Sequence, residues 1–279
     1  MTRQRTIKET VTVEGIGLQT GKKVSLTFRS SPADSGINFI RTDLPNKPLL
    51  NLQSMVLSGA HGPERRTTLS LGPMQIQTTE HLLAALSGYS IDNIVIELDN
   101  VELPGLDGSA KGFLDALEKA GAVEQDQPRR SLKVSEPVWC RSDDRILAAF
   151  PSDEFRVSYT MSYADDCLGT WLYYFDRGKN SFKKEIAPAR TFCLEKEAMV
   201  LLKLGLGKGA NYDNTLVMSR NGPVKNKLRF PDEPVRHKVL DLIGDLYLLG
   251  MPVIGHIVAV KSGHSLNMEL VKALRSKIF

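Results

Sequence analysis

The sequence predicts an α+β protein built as two similar layered sandwich domains, and three observations lead there. Strand-like segments come in runs, with helices fewer and late in each half, which argues against the strict βαβ alternation of a doubly wound sheet. The halves also resemble each other. His81 is followed by Gly88 and a strand-like Asn93-Ile94-Val95-Ile96-Glu97-Leu98, and His237 is followed at the same spacing by Gly244 and His256-Ile257-Val258-Ala259-Val260. Each half then runs on into another helix, as a weak internal duplication would. Finally, 279 residues with 42% hydrophobic content suffice for two cores of ordinary size.

In the first half, strands are signalled by Ile7 to Val13, by the alternation of Val24, Leu26 and Phe28, by Ile37 to Arg41 and by Ile94 to Leu98. Thr78 or Thr79 caps a helix that Gly88 ends. Asp107-Gly108-Ser109-Ala110 leads into a second helix through Phe113 to Leu117. The polar run Gly121 to Arg130 reads as a hinge, dividing the chain into residues 1–126, carrying Glu80 and His81, and 127–279, carrying His237, Asp241 and His264. In the second half, strands are expected at Val134 to Cys140, Ile146 to Phe150, Phe155 to Met161, Leu172 to Phe175 and Ile254 to Val260. Glu195 to Leu204 reads as helical. A core helix starts at Pro234 behind Asp232, turns Leu240, Ile243, Leu246 and Leu249 inward and stops at Gly250. The last helix follows Ser262-Gly263-His264-Ser265.

Composition narrows the function. The net charge of +4 is mild and the basic residues are scattered, so nucleic acid is not implied, while an anionic small substrate suits it. Met1 to Thr6 is charged without the apolar region of a secretory signal behind it, and no run is long enough to span a bilayer. Cys140, Cys167 and Cys193 are odd in number and widely spaced, which suggests a reducing cytoplasm and structural thiols.

Three segments carry chemistry. His237, Asp241 and Asp245 recur every four residues through an otherwise apolar helix and share one face. Desolvating such groups is costly unless they are hydrogen-bonded, paired or metal-bound. His and Asp at this spacing can grip a cation, with zinc the usual occupant, although a solvated face or an ion pair gives the same pattern. Glu80 and His81 fall in the first turn of their helix, where the backbone dipoles favour an anion and keep an imidazole neutral. An ordinary helix start reads the same. His264 follows a strand directly, where it serves catalysis or merely caps the next helix. Gly205-Leu206-Gly207-Lys208-Gly209-Ala210 imitates a dinucleotide fingerprint but follows a helix, and Gly17-Leu18-Gln19-Thr20-Gly21-Lys22-Lys23 has the wrong spacing for a P-loop.

Together, Thr79-Glu80-His81-Leu82, the His-Lys-x-x-Asp-x-x-Gly-Asp core from His237 to Asp245, and Lys261-Ser262-Gly263-His264-Ser265-Leu266-Asn267 resemble the UDP-3-O-acyl-N-acetylglucosamine deacetylase family of lipid A biosynthesis. Gly15-Ile16-Gly17-Leu18, Ile91 to Glu97, Pro104 to Ala110 and Ala189-Arg190-Thr191-Phe192 extend the likeness over essentially the full length. The resemblance implies two α+β sandwiches packed with their helices between the sheets. It implies hydrolytic removal of acetate from the 2-acetamido group of a UDP-linked, 3-O-acylated glucosamine, a precursor of the Gram-negative outer membrane. The metal ligands would be His81, His237 and Asp241, a set that leaves a fourth position open as a catalytic site requires. Zinc is the implied ion, and Fe(II) accepts the same ligands. Glu80 would be the general base. His264, kept cationic by Asp245, would stabilise the oxyanion and protonate the amine, with the sequence leaving the division of acid work between Glu80 and His264 open. Thr191 would be an oxyanion donor, Phe192 a sugar-packing ring, Lys238 a substrate-binding cation and Leu18 a further substrate contact. Glu195 to Leu204, with Leu201, Leu202, Leu204 and Leu206, would enclose the acyl chain, although a plain core helix explains those leucines equally well. The implied enzyme is a cytoplasmic monomer.

One position departs from the family, which commonly has His where this chain has Gln19. Gln does not titrate near neutrality, so only hydrogen bonding survives there. The rival readings are a zinc amidohydrolase of the same mechanism acting on another acetylated sugar or amide, and a non-catalytic zinc-stabilised binding protein. Glu80 beside His81 speaks against the second, because a structural metal site has no use for a base next to its ligand.

Overall fold

Two five-stranded mixed sheets with the same wiring form the frame of the computed structural model, which describes residues 2–54, 56–59, 66–163 and 168–277. Cys167 lies outside the described residues. Across the first sheet the order is Val11–Ile16, Lys23–Ser30, Ile94–Leu98, Ile37–Arg41 and Leu49–Asn51. Across the second it is Val138–Ser142, Arg145–Phe150, His256–Val260, Arg156–Ser162 and Thr170–Asp176. In each, the first two strands form a hairpin, and the last strand in sequence inserts at the centre, parallel to the third. A parallel neighbour requires a crossover, and a helix supplies it in both halves: α1 (Glu80–Tyr89) and α4 (Glu233–Leu246). The duplication expected from the histidine and glycine spacings is therefore present in the topology. Central strands alternate buried and half-buried residues, as in Ile94–Leu98 and Arg156–Ser162, so each sheet turns one face to the core.

The helices fill the space between the sheets. α2 (Lys111–Ala120) and α5 (His264–Arg275) bury one stripe each, Phe113, Leu114 and Leu117 on one and Leu266, Leu270, Val271 and Leu274 on the other. α1 and α4 are buried on nearly all sides because they pack on each other, with α2 also against α1 and with α5 and the second sheet also against α4. Their approach is set by Gly244, where an added Cβ would sit 2.0 Å from the Glu80 carbonyl oxygen. Only a residue without a side chain permits that crossing, and it brings the first turn of α1 against the middle of α4.

Several boundaries differ from the sequence reading. Ile7 to Val13 is two strands, Arg3–Ile7 and Val11–Ile16. The run expected as a hinge contains the strand Ala122–Pro128, paired antiparallel with Arg3–Ile7. Its side chains are mostly exposed, so it lacks the apolar alternation that marks a strand, and its long-range backbone pairing cannot be seen locally. Of the strand expected at Val134 to Cys140 only Val138 to Cys140 is extended into a ladder, as part of Val138–Ser142, which begins after Pro137 with its missing N–H, and a separate short strand, Leu132–Lys133, precedes it. α1 continues through Gly88 to Tyr89 and ends with Ser90 at φ 61°, while Gly250 at φ 73° does stop the chain after α4. α3 (Glu195–Lys203) directly follows Phe192–Leu194, the first strand of a small three-stranded sheet that Leu216–Ser219 and Gly222–Pro223 complete.

Candidate active site

His81 comes from the first turn of α1, and His237 and Asp241 lie one turn apart on α4. All three are buried, and one ligand atom from each falls within 4.8 Å of the others. Asp241 Oδ1 is 3.2 Å from His237 Nε2 and 3.9 Å from His81 Nε2. The His237 Nδ1–H donates to the Ala189 carbonyl at 3.0 Å, which turns an Nε2 lone pair toward Asp241. Burial, reinforced by His237, holds the His81 imidazole down to about 3, so it is neutral and able to ligate a metal at any physiological pH. Burial raises the Asp241 carboxyl, but His237 and Lys238 outweigh it and keep the group well below the usual carboxylate range. Its Oδ2 accepts from Lys238 Nζ at 3.0 Å, whereas Oδ1 is buried with no hydrogen-bond partner among the described residues. A buried carboxylate oxygen left bare between two imidazole nitrogens is the signature of a metal site, because without a cation it would carry the full desolvation cost. The donor set, two nitrogens and one carboxylate, suits a divalent transition metal.

Acid–base groups flank this triad. Burial pushes the Glu80 carboxyl up to about 7; His264 pulls it down, and Asp241 and Asp245 push it further up. Glu80 Oε2 accepts from the Thr67 backbone N–H at 3.1 Å. Across the cleft, the His264 Nδ1–H donates to Asp245 Oδ2 at 2.8 Å. Burial alone would lower that imidazole, but Asp245, with help from Asp241 and Glu80, raises it to about 9. Asp245 receives two further donors, the Thr67 hydroxyl at 2.6 Å and the Asn267 amide at 2.7 Å. Asn267 in turn accepts from the Ser262 hydroxyl at 2.6 Å. The cap alternative for His264 is not what the fold uses. The residue is the first of α5, makes no side-chain cap and spends Nδ1 on Asp245.

These groups open into a cleft of about 310 Å³ lined by Glu80, His81, His237, Asp241 and His264 together with Leu18, Thr191, Phe192 and Lys238. Of the acid–base and ligand candidates singled out in the sequence, Asp245 alone is withdrawn from it, fully buried behind His264, while Leu201 and Leu202 line a neighbouring cavity instead and Leu204 and Leu206 line neither. The Thr191–Phe192 segment is held by its neighbour. Arg190 forms a buried pair with Glu233 at the start of α4, with Nε to Oε1 at 2.9 Å. Phe192 then stands edge-on to the His237 ring at 6.3 Å.

Sequence reasoning missed Thr67, which bonds both Glu80 and Asp245, and the Arg190–Glu233 anchor. Neither has a local signal, since a threonine in a strand and a glutamate at a helix start are ordinary. The role of Asn267 had one, three residues beyond His264 and so on the same face of α5.

The chain is similar to known proteins over nearly its whole length. The family model for UDP-3-O-acyl N-acetylglycosamine deacetylase, LpxC, matches residues 4–276. A UDP-3-O-acyl-N-acetylglucosamine deacetylase of Chlamydia trachomatis is 42% identical over 269 residues, covering 96% of this chain and 93% of its own. That of Chlamydia felis is 41% identical over 277 residues, covering 99% and 98%, and that of an Anaeromyxobacter species is 40% identical, covering 96% and 87%.

Proposed function

This chain belongs to the UDP-3-O-acyl-N-acetylglucosamine deacetylase family, and on that premise we propose how its residues divide the reaction. The protein is a metal-dependent hydrolase of lipid A biosynthesis that removes acetate from the 2-acetamido group of its UDP-linked acylated sugar. The observation that carries the residue-level reading is the bare, buried Oδ1 of Asp241, facing His81 and His237 with Glu80 alongside.

We assign His81, His237 and Asp241 as the ligands and zinc as the ion, the usual occupant of such a set; Fe(II) is the alternative. A divalent ion there supplies Lewis acidity to water and to the acetamide carbonyl. Glu80 takes a proton from the attacking water, a task suited to a carboxyl raised to about 7. The water oxygen bonds to the carbonyl carbon, and the charge that develops on the carbonyl oxygen is met by cationic His264 and by Thr191. When the carbon–nitrogen bond breaks, the amine takes a proton from His264 and acetate departs. Asp245 touches no substrate atom and acts by holding His264 charged and oriented.

Phe192 and Leu18 pack the sugar and the start of its acyl chain. Lys238 lines the cleft and uses one of its three donors on Asp241, leaving two for substrate oxygen atoms. Burial would lower its ammonium, but Asp241 raises it, so it stays cationic. With Arg145 and Lys261 it borders an adjoining cavity of about 320 Å³, a cationic lining suited to a diphosphate. A second adjoining cavity, of about 250 Å³, is walled by Ala198, Leu201 and Leu202 around α3 and has the apolar character an acyl chain needs. We place the enzyme in the cytoplasm, where free thiols and a sugar nucleotide are at home, and as a monomer, since one chain supplies the whole site. Among the described residues no helix is long and apolar enough to cross a membrane.

The test is acetate release from UDP-3-O-acyl-N-acetylglucosamine after chelator treatment. Activity should vanish and return with about one equivalent of zinc. Full turnover after verified metal removal would sink the mechanism.

A further inference from the structure

Leu18, Gln19, Thr191 and Phe192 line both the polar cleft and the apolar cavity beside α3, so they form the neck between the two. At that neck two loops meet backbone to backbone. Lys208 N–H donates to the Gln19 carbonyl at 3.2 Å and Gly209 N–H to the Leu18 carbonyl at 3.1 Å. The approach is so close that a Cβ on Gly209 would lie 2.2 Å from the Gly17 carbonyl oxygen, and Gly207 is bent to φ +67°. The side chain of Gln19 completes the seam, its Oε1 accepting from the Gly207 N–H at 3.0 Å.

The other side of the seam is anchored to the catalytic helix. Glu102, 1% exposed, accepts from the Gln19 and Thr20 N–H groups, each at 2.8 Å, and from the Thr78 hydroxyl at 3.0 Å. Thr78 immediately precedes the cap residue of α1, which carries Glu80 and His81. Gln19 is thereby fixed relative to the reacting centre from one side and to the wall of the apolar cavity from the other.

This arrangement dictates the orientation of the Gln19 amide. A backbone N–H at Gly207 demands the carbonyl oxygen, so the NH₂ points the other way, and Nε2 makes no hydrogen bond among the described residues. In the substrate the 3-O-acyl ester is on the ring carbon next to the one bearing the acetamido group. With the acetamido group at the triad and the acyl chain in the apolar cavity, the ester carbonyl falls at the neck. The side chains of Leu18 and Phe192 carry no donor, the Thr191 N–H is spent on the Gly108 carbonyl at 2.7 Å, and the Thr191 hydroxyl is assigned to the acetamide oxygen.

We propose that Gln19 determines specificity for the 3-O-ester, its Oε1 latching the 205–209 segment and its Nε2 donating to the ester carbonyl. The inference rests on the deacetylase reading of the cleft. The amide performs both tasks without titrating, so the ester is read equally well across the neutral pH range.

The experiment compares kcat/KM for the natural 3-O-acyl ester with that for a 3-O-alkyl ether of equal chain length, which lacks only the carbonyl. Metal-loaded wild type, Gln19→Glu and Gln19→Leu are assayed, and amide hydrogen exchange is followed at residues 205–209. Wild type should favour the ester by roughly tenfold, the worth of one neutral hydrogen bond in a confined site. Gln19→Glu keeps the acceptor for Gly207 but has no donor. It should retain slow exchange while its ester preference falls to about one or below. Gln19→Leu should lose both, with faster exchange and no preference. An ester preference that persists in Gln19→Glu, or is absent in wild type, overturns the inference alone. Wild type that releases acetate from neither compound overturns the functional reading and the inference with it. Should Gln19→Leu fail to fold, Gln19→Glu decides the matter, since it preserves the latch.

Discussion

Replacing Glu233 by Gln should be among the most damaging conservative changes in this protein. The carboxylate is fully buried at the first turn of α4 and accepts four hydrogen bonds. Oε1 takes Arg190 N at 3.0 Å and Nε at 2.9 Å, while Oε2 takes Arg190 Nη2 at 3.2 Å and Arg229 N at 2.6 Å. Glutamine keeps the volume, but its NH₂ must face donors on one side, and the Arg190 guanidinium is left buried without a counter-charge. Breaking such a pair from one side costs about 3–5 kcal/mol, which is roughly two to four powers of ten in the folding equilibrium. Equilibrium urea unfolding, followed by tryptophan fluorescence on metal-free protein, measures it directly. The double variant Arg190→Met, Glu233→Met serves as the control, because removing both charges together avoids the orphaned ion and should recover most of the loss. Since Arg190 lies between Ala189, whose carbonyl orients His237, and Thr191, the single variant should also bind metal more weakly. A cost under about 1 kcal/mol, or a double variant no more stable than the single one, would refute the claim that a desolvated charge pair holds this segment.

Three further outcomes follow from the site. His264 is held at about 9, so it stays protonated through neutrality and loses its proton, and activity, as pH climbs past that value; Glu80, at about 7, stops acting as base as pH falls below it. Asp245→Asn removes the strongest upward influence on His264 and leaves burial to lower it, so the alkaline limb of kcat should move down by about two pH units, while the acid limb follows by less, since Asp245 is a smaller influence on Glu80 than burial; an unmoved alkaline limb breaks the proposed coupling. Gly244→Ala forces a Cβ to within 2.0 Å of the Glu80 carbonyl oxygen, and the separation of α1 from α4 should cost about 1–3 kcal/mol in urea unfolding and lower metal content, with a neutral result arguing against the tight crossing. Glu80→Gln should keep its bound metal by elemental analysis while acetate release falls by about 10²–10⁴-fold, and loss of the metal instead would make Glu80 a ligand.

Much of the site was legible because its parts are local. The four-residue recurrence of His237, Asp241 and Asp245 places them on one helical face whatever that helix packs against, and Glu80 with His81 read as the first turn of α1 from the cap threonines alone. The strands Ile37–Arg41 and Ile94–Leu98 were read to the residue, since each has a strong β-forming pattern bounded by polar turns. The strand Ala122–Pro128 was not, because its stability comes from the backbone of Arg3–Ile7, more than a hundred residues away, and not from its own side chains. Thr67 was invisible for a similar reason. Its bonds to Glu80 and Asp245 join three elements that meet only in the folded protein.

What the sequence determined by itself was the inventory and its spacing: two copies of a strand–helix pattern, a histidine at each equivalent helix, and a carboxylate one turn from the second. These follow from helical and strand periodicity, which short-range sterics enforce. Whether the two histidines would meet was decided only by tertiary structure, through the close crossing of α1 and α4 that Gly244 permits. The same crossing decided the charge states. An isolated helix in water would leave Glu80 an ordinary carboxylate and His264 an ordinary imidazole. Removal from solvent raises the first, and the buried charge of Asp245 overcomes that same removal to raise the second. Desolvation is a property of everything that surrounds a group, and no stretch of sequence contains its own surroundings.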